Sequence, residues 1–228
     1  MQPFVVHITF STPICLTIPP TLDAILAAEL ALHVGDARAL AELPLQTTDG
    51  VYHASQLYLD AINLEHAFTK IAMRQTEPAS MPITSVRGNA RGDMISIAYN
   101  KYKNTLNRHR ARSVMTGVFA GVGDIDEIES ILTDVLAIGA RRADGYGLIA
   151  DRSIEPVDAD PRIWGIMDSQ GEPMRPVPLR TWATLGGAPD ALVQMVRARP
   201  WYWDARNPAE ICAVPASDTM NAFLAGMA

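Results

Sequence analysis

The chain has 228 residues, 48% of them hydrophobic, and a formal net charge of −6. That length carries one large domain or a domain with an extension, and the acidic balance argues against a general nucleic-acid binder, whose surface is basic. No run approaches the roughly 18 uninterrupted apolar residues of a membrane helix, MQPFVVHITF lacks the features of a secretion signal, and Cys15 and Cys212 form no CxxC pair, so a cytoplasmic protein with two free thiols is expected.

Phe4, Val6, Ile8 and Phe10 alternate with Val5, His7, Thr9 and Ser11, the period of a strand with one face on a core. Pro19-Pro20 ends it, and Thr21 is placed to cap a helix whose first turn holds Asp23, where a negative charge suits the helix dipole. Leu22, Ile25, Leu26, Leu30 and Val34 fall at helical spacing, which predicts an amphipathic helix over residues 22–34. A second short helix is expected over 36–43. VYHASQLYL has strand character, and LEHAFTKIA fits strand or helix. Residues 74–93 are loop-like, with Pro78, Pro82, Gly88 and Gly92. Two strands are expected around Ile95/Ile97/Tyr99 and Val114/Val118.

DIDEIESILTDVLAIG is predicted to be a helix capped by Asp124, with Ile128, Ile131, Leu132, Val135 and Leu136 as its buried stripe and Gly139 at the left-handed position past its end. YGLIADRSIEPV reads as the next strand. The element order over residues 1–155 predicts an α+β fold with helices on one face of an antiparallel sheet, a ferredoxin-like (RRM-like) arrangement carrying a basic insertion near 85–112. Residues 156–228 form a C-terminal extension packed on it. There WGIMDSQGEPMRPVP predicts a hairpin turning at Ser169-Gln170-Gly171, ALVQMVRAR a short helix, and Trp201-Tyr202-Trp203 either core packing or an interface.

Two segments have the composition of a binding site. IGARRADGYGLIADR holds Gly139, Gly145 and Gly147 around Arg141 and Arg142, with Tyr146 between the last two glycines. The order of helix, glycines and strand is the reverse of a dinucleotide fingerprint, and Leu148-Ile149 stands where a phosphate-binding P-loop needs Lys-Ser or Lys-Thr. Two readings remain: a helix-to-strand turn with solvated arginines, or a loop that a phosphate backbone approaches closely. The second segment, KYKNTLNRHRAR, carries Lys101, Lys103, Arg108, Arg110 and Arg112, with His109 and Tyr102 and no acid among them; Arg87 and Arg91 precede it. Basic side chains interleaved with aromatic ones suit a nucleic-acid backbone and stacked bases, whereas a solvated edge strand explains the charges alone. None of the five histidines has metal-ligand spacing, so no metal or cofactor is expected. Tyr102, Lys103 and His109 are the only candidates for metal-independent ribonuclease chemistry.

VFAGVGDIDEIESILTDVLAIGARRADGYGLI resembles the C-terminal glycine-rich motif of the RAMP superfamily, the RNA-binding subunits of CRISPR effectors. PPTLDAILAAELA and the G-x-P-x-R-P within WGIMDSQGEPMRPVP are similar to the type IV branch that caps the 5′ end of the guide RNA. The resemblance implies a ferredoxin-like domain that grips the crRNA 5′ handle. It implies a glycine loop on the RNA (Gly139, Arg141, Arg142, Gly145, Tyr146, Gly147) and a basic thumb placed by position at Lys101 to Arg112. The implied partners are that handle, the backbone RAMP subunits, a large or small accessory subunit and target DNA within the complex, with no membrane. In the type IV branch a separate subunit usually processes the repeat RNA, which implies a non-catalytic protein; the alternative is a metal-independent endoribonuclease.

Overall fold

The computed structural model describes residues 1–60, 64–72, 105–202, 204, 207–218 and 223. The chain divides into two compact units, one of residues 1–64 with 112–228 and the other of residues 65–111.

The larger unit is built on strand β1 (Gln2–Phe10), helix α1 (Leu22–Val34), helix α2 (Asp36–Ala41), the short strands β2 (Thr47–Thr48), β3 (Val51–Tyr52) and β4 (Tyr58–Leu59), then, after strands β5 (Leu64–Ala72) and β6 (Thr105–Ser113), strand β7 (Thr116–Gly123), helix α3 (Ile125–Asp134) and strand β8 (Ile149–Pro156). Four of the strands make one antiparallel sheet in the order β4-β7-β1-β8. That is the ferredoxin-like split βαβ arrangement: β1 and β4 are linked through α1, β7 and β8 through α3, and each link spans one intervening strand. The α+β fold read from the sequence is therefore the fold observed. β2 and β3 form a tight hairpin whose Asp49 and Gly50 both adopt positive φ, 50° and 74°, as a twisted two-residue turn requires.

Alternation along β1 sends Phe4, Val6, Ile8 and Phe10 onto the helix side, where they bury with Leu22 and Leu26 of α1 and Ile128 and Leu132 of α3. Each such side chain contributes about 1.5–3 kcal/mol by leaving water. Asp124 caps α3 as expected, its Oδ1 accepting from the Glu127 amide at 3.3 Å. The expected end of α3 is not observed. The helix stops at Asp134, Val135 is extended, and Leu136 is exposed rather than buried. The guanidinium of Arg152 on β8 donates to the carbonyls of Leu132 and of Val135 (2.9 Å for the latter), satisfying helix-end acceptors that a glycine cap otherwise satisfies. Gly139 therefore lies beyond the cap position, with a job of its own.

The C-terminal extension contains strand β9 (Val177–Pro178), helix α4 (Leu179–Thr184), strand β10 (Val193–Val196) and strand β11 (Glu210–Ala213), the strands in the order β10-β11-β9. The turn expected at 169–171 is present: Asp168 Oδ1 accepts from the Gln170 and Glu172 amides, both at 2.9 Å, and Gly171 takes φ +84°. The helix expected at ALVQMVRAR is instead β10, because its backbone groups pair with β11, sixteen positions on at Met195↔Ile211, and β-branched Val193 and Val196 favour extended chain.

The extension also closes part of the second sheet face. Trp164, Met174 and Phe223 bury against Val5, Val118, Ala120, Val122 and Tyr58, with the Trp164 indole donating to the Phe4 carbonyl at 3.0 Å. The strip along β1 and β8 stays more open; His7, Asp151, Ser153 and Glu155 are exposed there. Among the described residues, no helix is long and apolar enough to cross a membrane.

Candidate nucleic-acid interface

The open strip of the sheet is a poor platform for nucleic acid. His7 and Thr9 lie opposite Ser153 and Asp151, and Glu155 lies opposite Val5. A strip with two carboxylates and no phenyl or indole ring on these positions offers an anionic strand repulsion rather than stacking. The glycine-rich and basic segments picked out by composition lie in the loops and in the smaller unit.

The glycine loop runs from the end of α3 to the start of β8. Ala137 bridges Leu148, and the Ile138 amide donates to the Gly147 carbonyl at 2.9 Å, closing the loop at its base. Its outer part is stitched to residues 11–15: the Gly147 amide donates to Pro13, the Ala140 amide to Cys15, both at 2.8 Å, and the Leu148 amide to the Thr12 hydroxyl at 2.9 Å. Between these points a single 3-10 turn spans Arg142–Asp144, preceded by Arg141 in left-handed conformation (φ +64°).

The three glycines have different jobs. A Cβ on Gly139 would lie 2.7 Å from the Cys15 carbonyl oxygen, and one on Gly147 would fall far inside van der Waals contact distance of the Ile138 carbonyl oxygen. Both therefore admit close approach of the protein's own backbone. Gly145 faces open space and has φ +85°. Of the three, it alone leaves room for another molecule's backbone to come close. Arg141 is half-buried and 4.0 Å from Asp144, whereas Arg142 is exposed. Tyr146 is half-buried. Burial pushes the Cys15 thiol up, Arg141 partly opposing it, so this cysteine stays protonated and is no nucleophile near neutral pH.

Beside the loop lies a groove of about 790 Å³. Its walls are the 15–20 segment, α1 through Ile25, Ala28 and Leu32, the loop itself from Val135 to Arg142, and Met195, Val196 and Arg197 at the end of β10. Arg142 and Arg197 both line it. No sequence signal marks Arg197; the β10–β11 pairing brings it back to the loop.

The basic segment is divided between the units. Within the smaller one, β5 and β6 form a two-stranded ribbon inserted in the chain between β4 and β7. Arg108 and Arg110 are exposed and, two apart on a strand, share one face. His109 takes the opposite face and packs on Phe68, ring centroids 5.3 Å apart and tilted by 39°. Phe68 carried no signal in LEHAFTKIA; the strand pairing brings it to His109. Arg112 belongs to the larger unit. It exchanges backbone hydrogen bonds with Ile14 (2.8 and 2.9 Å), and its guanidinium holds Asp218 at 2.7 Å. Its charge is thus engaged by a carboxylate. Arg87, Arg91, Lys101, Tyr102 and Lys103 lie outside the described residues.

No protein-family model and no curated protein matches the chain. Among solved structures, it is similar to a chain in the cryo-EM structure of the type III-B Cmr-beta bound to cognate target RNA, at 12% identity and a TM-score of 0.40. The match covers 68% of this chain and 61% of that one. Among the described residues, no group of three or more His, Cys, Asp or Glu side chains is placed to hold a metal ion.

Proposed function

We propose that this chain is a non-catalytic, guide-RNA-binding subunit of a CRISPR ribonucleoprotein of the type IV branch, working in the cytoplasm and holding the crRNA 5′ handle at the end of a filament of RAMP backbone subunits. The observation that carries the reading is the ribbon inserted between β4 and β7, with Arg108 and Arg110 on one exposed face and the Phe68–His109 ring pair on the other. Guanidinium groups spaced along a strand meet successive phosphates, and aromatic faces accept any base. The ferredoxin-like sheet order and a glycine loop between α3 and β8 support the same reading, together with the motif resemblance of residues 118–149. The acidic total charge fits a protein with local basic sites and other surfaces given to protein neighbours, among them a large or small accessory subunit.

The test is guide-RNA retention by the assembled complex carrying Arg108→Glu and Arg110→Glu. Retention is expected to fall, and the slope of log affinity against log salt to flatten by about 1.4 for two lost phosphate contacts on single-stranded RNA. Unchanged retention would remove the ribbon from the interface. Incubating the purified chain with repeat RNA in EDTA tests the non-catalytic half of the reading: intact RNA is expected, and cleavage that disappears with His109→Ala overturns it.

A further inference from the structure

The groove beside the glycine loop is bounded by an unused strand edge. β10 is the outer strand of its sheet and, among the described residues, pairs only with β11. The Val214 amide donates to the Leu192 carbonyl at 2.8 Å, which sets the phase of the antiparallel ladder. In that phase Gln194 and Val196 turn their backbone groups toward β11, and Val193 and Met195 turn theirs outward. Among the described residues, the outward N–H and C=O groups of Val193 and Met195 have no backbone partner. An edge strand presenting such groups is a template for another extended chain.

The side chains around that edge are apolar and uncovered. Met195 is 69% exposed, Leu32 77% and Ile18 76%, and all three line the groove. Leu16, Ile25 and Ile138 continue the lining inward. The charged groups in the lining are Arg142, Arg197 and Glu29. Glu29 lies 3.9 Å from His33, Arg197 gives its Nε to the Asn207 carbonyl at 2.9 Å, and Arg142 has no ion pair among the described residues. The groove is therefore apolar along its length and cationic at its rim, within a chain whose net charge is −6.

We infer that this groove is a docking site for an extended segment of a partner protein, added as a strand to the outer edge of β10. Its alternate apolar side chains seat between Met195, Ile18 and Leu32, and a flanking carboxylate meets Arg142 and Arg197. Strand addition takes its affinity from main-chain hydrogen bonds and its specificity from pockets for alternate side chains, and both elements are present. A nucleic-acid strand has no amide ladder to match Val193 and Met195. Among the described residues, the one aromatic side chain lining the groove, Tyr202, has its hydroxyl committed to Asp23. The inference does not depend on RNA binding by the chain.

The test places a photo-crosslinking amino acid at Leu32, in the groove lining, in the chain purified with its bound partners from the native host, and maps the adduct by mass spectrometry. Two variants accompany it. Met195→Pro removes an outward N–H while leaving the Gln194 and Val196 bonds to β11 in place. Ile18→Asp puts a charge on the apolar wall at an exposed loop position and keeps the test valid if the proline variant does not fold. The expected result is one adduct in a single extended segment of another protein, reduced about tenfold or more by each variant, equivalent to about 1.4 kcal/mol, with guide RNA content unchanged. An adduct on RNA, an adduct on a second copy of this chain, the absence of an adduct, or a protein adduct insensitive to both folded variants would each overturn the inference. RNA content, read in the same sample, separates this outcome from failure of the RNA-binding reading.

Discussion

Asp23, in the first turn of α1, and Arg175, in the extension 152 positions later, form an ion pair with no solvent exposure on either side chain, their closest atoms 3.3 Å apart. Arg175 also donates to the Tyr52, Ala54 and Ala198 carbonyls, at 2.7, 3.1 and 3.1 Å, and the Tyr202 hydroxyl donates to Asp23. Burial holds the Tyr202 phenol far above its ordinary range, so it remains a donor. One guanidinium thus joins α1, the β3 region and the extension. Removing one partner of a buried pair typically costs about 3–5 kcal/mol, because the other charge stays behind without compensation. Arg175→Met is expected to reach that range, since three carbonyls also lose their donor, and Asp23→Asn, which keeps an acceptor for Tyr202, to cost less. Urea unfolding monitored by tryptophan fluorescence ranks the two; equal stability of Arg175→Met and the parent would show that the pair holds nothing together.

His53 gives the stability a defined pH dependence. The side chain is fully buried, Nδ1 donates to the Trp164 carbonyl at 3.0 Å, and Nε2 accepts from the Thr48 hydroxyl at 2.8 Å. That pattern fits the neutral ring, and burial lowers its pKa below the usual 6.5. A group whose folded pKa is depressed contributes stability that is full above its unfolded value and is lost as pH falls. Unfolding free energy is therefore expected to decline as pH drops from 7 through 6.5 and below. His53→Gln should flatten that part of the profile while lowering stability at pH 7. A parent profile level from pH 7 to 5 would contradict the assignment.

Cys212 works in the opposite direction. Burial, followed by Glu210, pushes its thiol from 9.0 up to about 11. Its contribution is full below pH 9 and is lost as pH rises toward 11. Alkylation of the native chain at pH 8 is expected to spare Cys212, with full modification only after unfolding; rapid native labelling at this position would refute its burial.

Local signals reached the parts of the fold set by local physics. Alternation on β1, the bounds of α1 and the Asp124 cap of α3 are each written within a dozen residues and are observed as expected, whereas α1 carries apolar residues all round, exposed Leu32 among them, and Thr21 gives it no side-chain cap. What escaped depends on partners far along the chain. Asp23 reads as a helix-dipole residue until Arg175 arrives beside it. Val193 to Val196 fit a helix until β11 supplies their hydrogen bonds. Leu136 reads as core until Arg152 ends α3 early. The candidate site shows the same division. Arg108, His109 and Arg110 were visible as a basic run, whereas Phe68 beneath His109 and Arg197 in the groove are placed by strand pairing alone.

The glycine loop allows its architectural and binding duties to be separated. Gly147→Ala places a Cβ against the Ile138 carbonyl at φ +69°, so both a backbone clash and a left-handed alanine must be absorbed. The conformation alone costs about 1–2 kcal/mol, and the clash adds to it. This variant is expected to unfold well below the parent in a thermal melt. Gly145→Ala bears the conformational cost without a clash, since nothing lies within 4 Å of the added atom. It is expected to keep its fold, with a loss of about 1–2 kcal/mol. If Gly145 faces the guide RNA, enlarging the side chain to Val should lower RNA retention more than it lowers stability. The ratio of the two effects is the measurement: a Gly145→Val variant that binds guide RNA like the parent would make the loop a turn and nothing more, and would move the RNA contact to the ribbon alone.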